Sequence, residues 1–393
     1  MKRIAFVVQR YGLEVNGGAE LHCRQLAEHM NKMYDTEIIT TKAIDYVTWR
    51  DEYLLDEEII NNILVRRFSV KEERDNNSFN KLSANVLKGN SSKQDEEHWM
   101  QKQGPYSPDL IEYLESHKED YDVFIFFTYL YYTTYFGLQK VFDKSILIPT
   151  AHDELPIYLK IFGDMFHLPR GIFYNTTEEK AFLEKKFHIE SIPNNNGYGG
   201  VGVEVPENIS AEAFRKKYGL DKFIIYIGRI DEHKGCKDLF AYFNEYKKRN
   251  GGDLKLVLMG KEVIRVPETK DIVSLGFVSD EDKFNGLAAC EFLVLPSQFE
   301  SLSMVVLEAM KIGKPVLVNG KCEVLKGHCT RSNAGLYYQN FYEFEGCVNY
   351  LQMHPKQCLE MGENGQDYVE ENYKWDVIIK RLSKLVEKIC IRK

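Results

Sequence analysis

Short apolar runs, each four to six residues long and each followed by a longer stretch with helical spacing, repeat along the whole chain. Such runs read as strands of parallel sheets wrapped on both faces by helices, because a strand buried on both sides is apolar throughout rather than alternating. In the first half they fall at residues 4–8, 37–40, 63–67, 123–127, 145–149 and 171–175. A second series follows at 223–227, 254–259, 272–275, 292–295 and 315–318. After the first strand, Ala19, Cys23, Leu26, Ala27, Met30 and Met33 recur at helical spacing and define the buried face of the first helix. At 393 residues the chain is too long for one ordinary core, and two lobes of roughly 190 residues suit it. A stretch rich in Asn, Gly and Pro, residues 192–210, separates the two series. The expected organisation is therefore α/β: two Rossmann-like doubly wound domains, at 1–205 and 206–374, and a last helix over 375–393. The final fifty residues read as two helices, 354–372 and 376–390, hinged near Trp375.

The chemistry concentrates in the segment FLVLPSQFESLSMVVLEAMKIGKPV. Its strand runs into a Pro-Ser loop carrying Glu300, and the loop runs into a helix expected from about Ser303 to Gly313 that carries Glu308. Both acids then belong to one mouth, where one can hold sugar hydroxyls and the other a ribose. The amides of Ser301, Leu302, Ser303 and Met304, at a helix N-terminus, suit an anion between them. An isolated pair of glutamates is ordinarily a solvated helix face, but a second element accompanies this one. The loop GRIDEHKG offers Arg229 and Lys234 beside Gly228 and Gly235, past the first strand of the second series. An Arg fork and a Lys point charge can hold a diphosphate without a metal.

In the first half, NGGAE spans Asn16 to Glu20, and Gly17 and Gly18 let a helix N-terminus approach an anion or a sugar ring. His152 lies in PTAHDELP just past a strand, with Asp153 beside it to orient the ring. In NTTEEK, Glu178 and Glu179 read as first-turn acids of a helix capped by Thr176 or Thr177. The triplet Asp120-Tyr121-Asp122 precedes a strand, whereas ligands of such sheets gather at strand exits, so it reads as a polar turn rather than a metal site. Trp99, Tyr106, Tyr129, Tyr131, Tyr132 and Tyr135 form either a sugar-stacking platform or buried core.

On the residues quoted from the second half, the chain resembles the retaining, family-4-type (group 1) glycosyltransferases with the GT-B fold. That resemblance implies two Rossmann-like domains facing a cleft, with the last helix crossing back onto the first. It further implies sugar transfer with retention from a nucleotide-sugar donor, UDP- or GDP-linked, to a carbohydrate or lipid-linked acceptor. Arg229 and Lys234 would bind the donor phosphates. Gly17, Gly18 and His152 match the family's glycine-rich loop and donor-side histidine, and no metal or separate cofactor is implied.

Composition narrows the alternatives. A net charge of -8 argues against nucleic acid as a partner. Eight cysteines without a C-x-x-C pair suit reduced thiols in the cytoplasm. The apolar run in MKRIAFVVQRYG is too short for a signal peptide, and no stretch approaches the ~18 apolar residues of a membrane span. Weak peripheral contact through Lys384, Lys388, Arg392 and Lys393 stays open beside a plain solvated tail. Three rival functions also stay open: a nucleotide-sugar epimerase, a phosphorylase, and a non-catalytic sugar-binding partner.

Overall fold

The structure, a computed structural model, describes residues 1–15, 17–189 and 196–391. Asn16, part of the asparagine run at 194–195, and the basic pair Arg392 and Lys393 lie outside the described residues. The chain divides into two compact units: residues 1–201 together with 375–393, and residues 202–374. The border expected near Val205 lies a few residues beyond this division.

The first unit holds strands β1 (Arg3–Val7), β2 (Asp35–Thr41), β3 (Glu57–Ile60), β4 (Ile63–Phe68), β5 (Val123–Phe127), β6 (Ser145–Ile148), β7 (Gly171–Tyr174) and β8 (Asn196–Tyr198). They form one sheet in the order β3-β4-β2-β1-β5-β6-β7-β8, parallel throughout except for β3. The central strands are the apolar runs of the sequence, and every residue of VFIFF in β5 is buried. Two strands had no such signal. β3 is a half-exposed edge strand that turns into β4 through Asn61 and Asn62, both left-handed at φ +50° and +64°, as a two-residue hairpin requires. β8 sits inside the stretch read as a linker and pairs with β7 from Asn196 to Tyr198.

The first helix, Gly18–Met30, buries Cys23, Leu26, Ala27 and Met30 as its spacing demanded. Met33 does not join them: the helix has ended before it, and its side chain is exposed. The last helix, Trp375–Cys390, belongs to this first unit. It buries Ile378, Leu382, Leu385, Val386 and Ile389. His29 stacks on Trp375 with ring centroids 3.9 Å apart, and Ile378 comes close enough to Gly199 that a Cβ there would lie 3.2 Å from its Cδ1. No described helix is long and apolar enough to cross a membrane.

The second unit holds β9 (Phe223–Ile227), β10 (Lys255–Met259), β11 (Ile272–Ser274), β12 (Leu293–Leu295), β13 (Val316–Asn319) and β14 (Gly335–Tyr338) in one all-parallel sheet, ordered β11-β10-β9-β12-β13-β14. β14 is a four-residue edge strand with no counterpart among the apolar runs read from the sequence, and only Tyr337 of its residues is exposed. Its Gly335 is fixed by proximity, since a Cβ there would stand 2.2 Å from the Val316 carbonyl oxygen.

Full burial of one aliphatic side chain stabilises by about 1.5–3 kcal/mol, so the apolar face of Trp375–Cys390 carries much of a domain's net stability of roughly 5–15 kcal/mol. Removing residues 375–393 is expected to unfold the first unit while the second keeps its own cooperative melt. Calorimetry of the shortened chain beside the full one checks this; an unchanged first-unit transition would count against it.

Candidate functional site

In the second unit the strand order runs outward in both directions from the β9–β12 pair. Right-handed crossovers leave to one side from β9 and to the other from β12, so the loops following these two strands meet uncovered at the carboxyl edge. Glycine makes the meeting close. Gly235 is left-handed at φ +76°, and a Cβ there would lie 2.4 Å from the Pro296 carbonyl oxygen in the loop after β12. Asn319, at the end of β13, donates from its side-chain amide to that same carbonyl at 2.9 Å.

Within the β9 loop, Asp231 is buried and accepts a 2.8 Å hydrogen bond from the Lys234 backbone amide, while Arg229 Nε pairs with its carboxylate. Burial pushes the Asp231 carboxyl up, but the Lys234 amide and the Arg229 guanidinium outweigh it and hold the group below its usual range. Asp231 thus shapes the turn that presents both cations. Lys234 Nζ then donates to Glu300 across the two loops at 2.7 Å, with Glu300 only 15% exposed.

Glu308 lies on the helix Met304–Lys311 and accepts from Lys283 Nζ at 2.9 Å. Lys283 comes from the first turn of helix Asp280–Ala289, which follows β11 at the same sheet edge. Each glutamate therefore has its own lysine, and neither is a solvated helix acid. Gly228 opens the β9 loop at φ +151°, packed so that a Cβ at Gly260 would stand 1.9 Å from its carbonyl oxygen. Ser301 and Leu302 lead into Ser303, which caps the helix in the left-handed region at φ +68° with its hydroxyl buried.

In the first unit the corresponding reversal lies between β1 and β5. Gly17 caps the first helix in extended conformation, and space rather than strain excludes a side chain: a Cβ would lie 2.0 Å from Glu20 Oε2. Glu20 is buried, accepting from Arg10 Nε at 2.6 Å and from the Gln9 amide at 2.9 Å, so a buried ion pair sets the glycine loop. A Cβ at Gly18 would meet nothing within 4 Å.

His152 is partly exposed past β6, and its Nε2 lies 3.4 Å from Glu154. Asp153, expected to orient the ring, instead accepts from the Tyr158 hydroxyl at 2.6 Å, because it points outward while Glu154 is held against Tyr129 at 2.7 Å. The nearby strand ends are strained: Thr128 and Thr150 take φ +64° and +49° without being glycine. Glu179 pins this region. Thr176 caps its helix, and the buried carboxylate accepts from the amides of Ala151 and Asn175, both at 2.5 Å. Burial pushes the Glu179 carboxyl up to about 8 against the pull of those two amides.

Asp122 accepts from the Arg3 amide at 3.0 Å at the entry to β5, as a polar turn should. The platform reading of the aromatics is not upheld for Trp99, Tyr129, Tyr132 and Tyr135: these pack into the first unit's core, around Phe162 and Phe166. Tyr106 and Tyr131 are half-buried.

Residues 210–368 match the family described as glycosyl transferases group 1. The second unit carries a group 1 glycosyl transferase domain. Among curated relatives, an alpha-D-kanosaminyltransferase of Streptomyces kanamyceticus is 31% identical over 130 residues, 30% of this chain and 33% of the relative. The matched stretch spans well under half the length of such curated relatives. Two solved structures align over nearly all of both chains. Sucrose-phosphate synthase from Thermosynechococcus elongatus superposes with a TM-score of 0.73 at 15% identity, covering 100% of each chain. Anabaena HepE, solved with UDP and glucose, gives 0.69 at 14% identity, covering 99% of this chain and 100% of that one. The chain shares their GT-B fold of two parallel-sheet α/β domains.

The raised Glu179 carboxyl has a signed consequence. Below about pH 4.5 the folded and unfolded forms both hold the proton; from there to about pH 8 only the folded form keeps it, so stability falls as pH rises and the loss is complete above about 8. Glu179→Gln is expected to flatten that downward slope. Urea midpoints measured from pH 5 to 9 check it, and parallel slopes for the two proteins would refute it.

Proposed function

We propose that this protein transfers a sugar from a nucleotide diphosphate sugar, UDP- or GDP-linked, to a hydroxyl of a carbohydrate or lipid-linked acceptor, with retention of anomeric configuration. One observation carries the reading: Lys234 and Glu300 come from two separate loops and meet at 2.7 Å where the strand order reverses. That place in an open α/β sheet is where nucleotide ligands lie. The group 1 match over residues 210–368 and the fold shared with a protein solved with UDP support the same reading.

In the reaction, the bond from the sugar's anomeric carbon to the diphosphate breaks, a bond from that carbon to the acceptor oxygen forms, and the acceptor proton passes to the departing phosphate. Arg229 and Lys234 meet the charge that grows on the leaving diphosphate, aided by the amides of Ser301, Leu302 and Ser303. Phosphate entry releases Lys234 from Glu300, and the freed carboxylate is then available to the sugar's hydroxyls. Glu308, steadied by Lys283, faces the ribose. In the first unit, taken by itself, Gly17, Gly18 and His152 are the residues suited to a sugar ring or an anion. No metal is assigned a role. The reaction is placed in the cytoplasm, consistent with eight free cysteines.

A screen of UDP-, GDP- and ADP-sugars, scored by nucleoside diphosphate released with and without simple glycoside acceptors, identifies the donor. Lys234→Ala and Arg229→Ala are each expected to lower turnover at least about 100-fold, the scale of losing one preorganised charge-stabilising group, and chelator should leave the wild-type rate unchanged. Near-normal turnover in both variants would refute the assignment.

A further inference from the structure

His328 is buried on helix Glu323–Ser332, and its hydrogen bonds define one tautomer. Its Nε2 lies 2.8 Å from the Leu302 carbonyl oxygen, which can only accept, so Nε2 carries the proton. Nδ1 is then a bare acceptor, and the Tyr368 hydroxyl donates to it at 3.1 Å. Arg331 Nε in turn donates to the Tyr368 oxygen at 3.3 Å. A directed chain therefore runs Arg331 to Tyr368 to His328 to Leu302. Burial, with Arg331 adding to it, pushes the imidazole down to about 4, so the ring stays neutral and the direction is kept at ordinary pH.

The chain ends on the peptide that leads into the strained residue. In a trans peptide the carbonyl and the following amide point in opposite directions. Fixing the Leu302 carbonyl toward His328 turns the Ser303 amide away from it. Ser303 is also left-handed at φ +68° without being glycine, a conformation that persists only where its surroundings impose it. The Ser303 hydroxyl is buried without a hydrogen-bond partner among the described residues, so its own side chain does not anchor that conformation through a hydrogen bond.

We infer that His328, aligned by Tyr368, is a positioning residue that fixes the Leu302–Ser303 peptide so that the Ser303 amide is presented to the second phosphate of a nucleoside diphosphate. This rests on the functional reading above. His328 does not touch the ligand; it removes the alternative peptide orientation, in which a carbonyl oxygen would face the phosphate.

The test is calorimetric titration of the full chain with UDP, GDP and ADP and with the matching monophosphates. Wild type is expected to bind one diphosphate at least tenfold tighter than its monophosphate. Tyr368→Phe, which keeps the packing but removes the hydroxyl that holds the imidazole by its Nδ1, and His328→Leu, which removes the donor, should bring that ratio toward one while leaving monophosphate affinity within about twofold. His328→Gln, whose amide can still donate to Leu302, should restore much of the ratio. A merely structural role would lower both affinities together. Should wild type discriminate and folded Tyr368→Phe discriminate equally well, this inference falls alone; should wild type bind none of the six nucleotides, the functional reading falls with it.

Discussion

The pairing of β9 with β12 is the constraint on which the site depends. Their register is set at Leu293 opposite Ile225, and both strands are buried on both faces. Every other strand of the second sheet is added outward from this pair, so its loops alone are left facing each other without an intervening crossover. A slip in that register would move the β12 loop relative to the β9 loop by several ångströms, since each residue advances a strand by about 3.3 Å. The 2.7 Å contact of Lys234 with Glu300 and the packing of Gly235 on Pro296 could not both survive it. Core packing thus fixes polar geometry that the polar residues could not fix for themselves.

What the sequence disclosed follows the same division. Strands buried on both faces announce themselves as continuous apolar runs, and β1, β5 and β9 lie within one residue of their expected bounds. β3, β8 and β14 have a different physical basis. They are three- and four-residue strands held by backbone pairing at sheet edges and only partly buried, so none presents the continuous buried run of a central strand. The Asn61-Asn62 turn was the one available cue to β3. Met33 shows the converse limit, because helical spacing extends past the helix end at Met30 into a turn that leaves this side chain exposed. The aromatic run after β5 was ambiguous for another reason: sugar stacking and core packing use the same side chains, and only depth in the fold separates them.

For the site, motif reading found Arg229, Lys234, Glu300 and Glu308 but not what holds them. Asp231 stands within the same loop as Arg229 and Lys234, and nothing in the motif marks its role. Its carboxylate is turned inward to the Lys234 amide, where it organises the loop rather than opposing a ligand. Lys283 was hidden among the capping acids Asp280, Glu281 and Asp282. Glu20 and Arg10 are 10 residues apart, and nothing in local spacing shows that they form a buried pair.

Both units solve one problem in one way. A loop at the carboxyl end of a parallel strand has backbone groups that the sheet no longer satisfies, and left alone it would sample several orientations. In each unit a buried polar side chain from a later element reaches back to fix it: Glu179 onto Ala151 and Asn175, Asn319 onto Pro296, His328 onto Leu302. Two of the strained residues sit beside these anchors, Thr150 next to Ala151 and Ser303 next to Leu302. Strain of about 1–3 kcal/mol per residue is comparable with the penalty of leaving a buried polar group unsatisfied, about 1–3 kcal/mol, so one anchor is enough to hold one such residue. The left-handed threonine and serine are therefore consequences of the anchors, and the backbone around a ligand is set from the core outward.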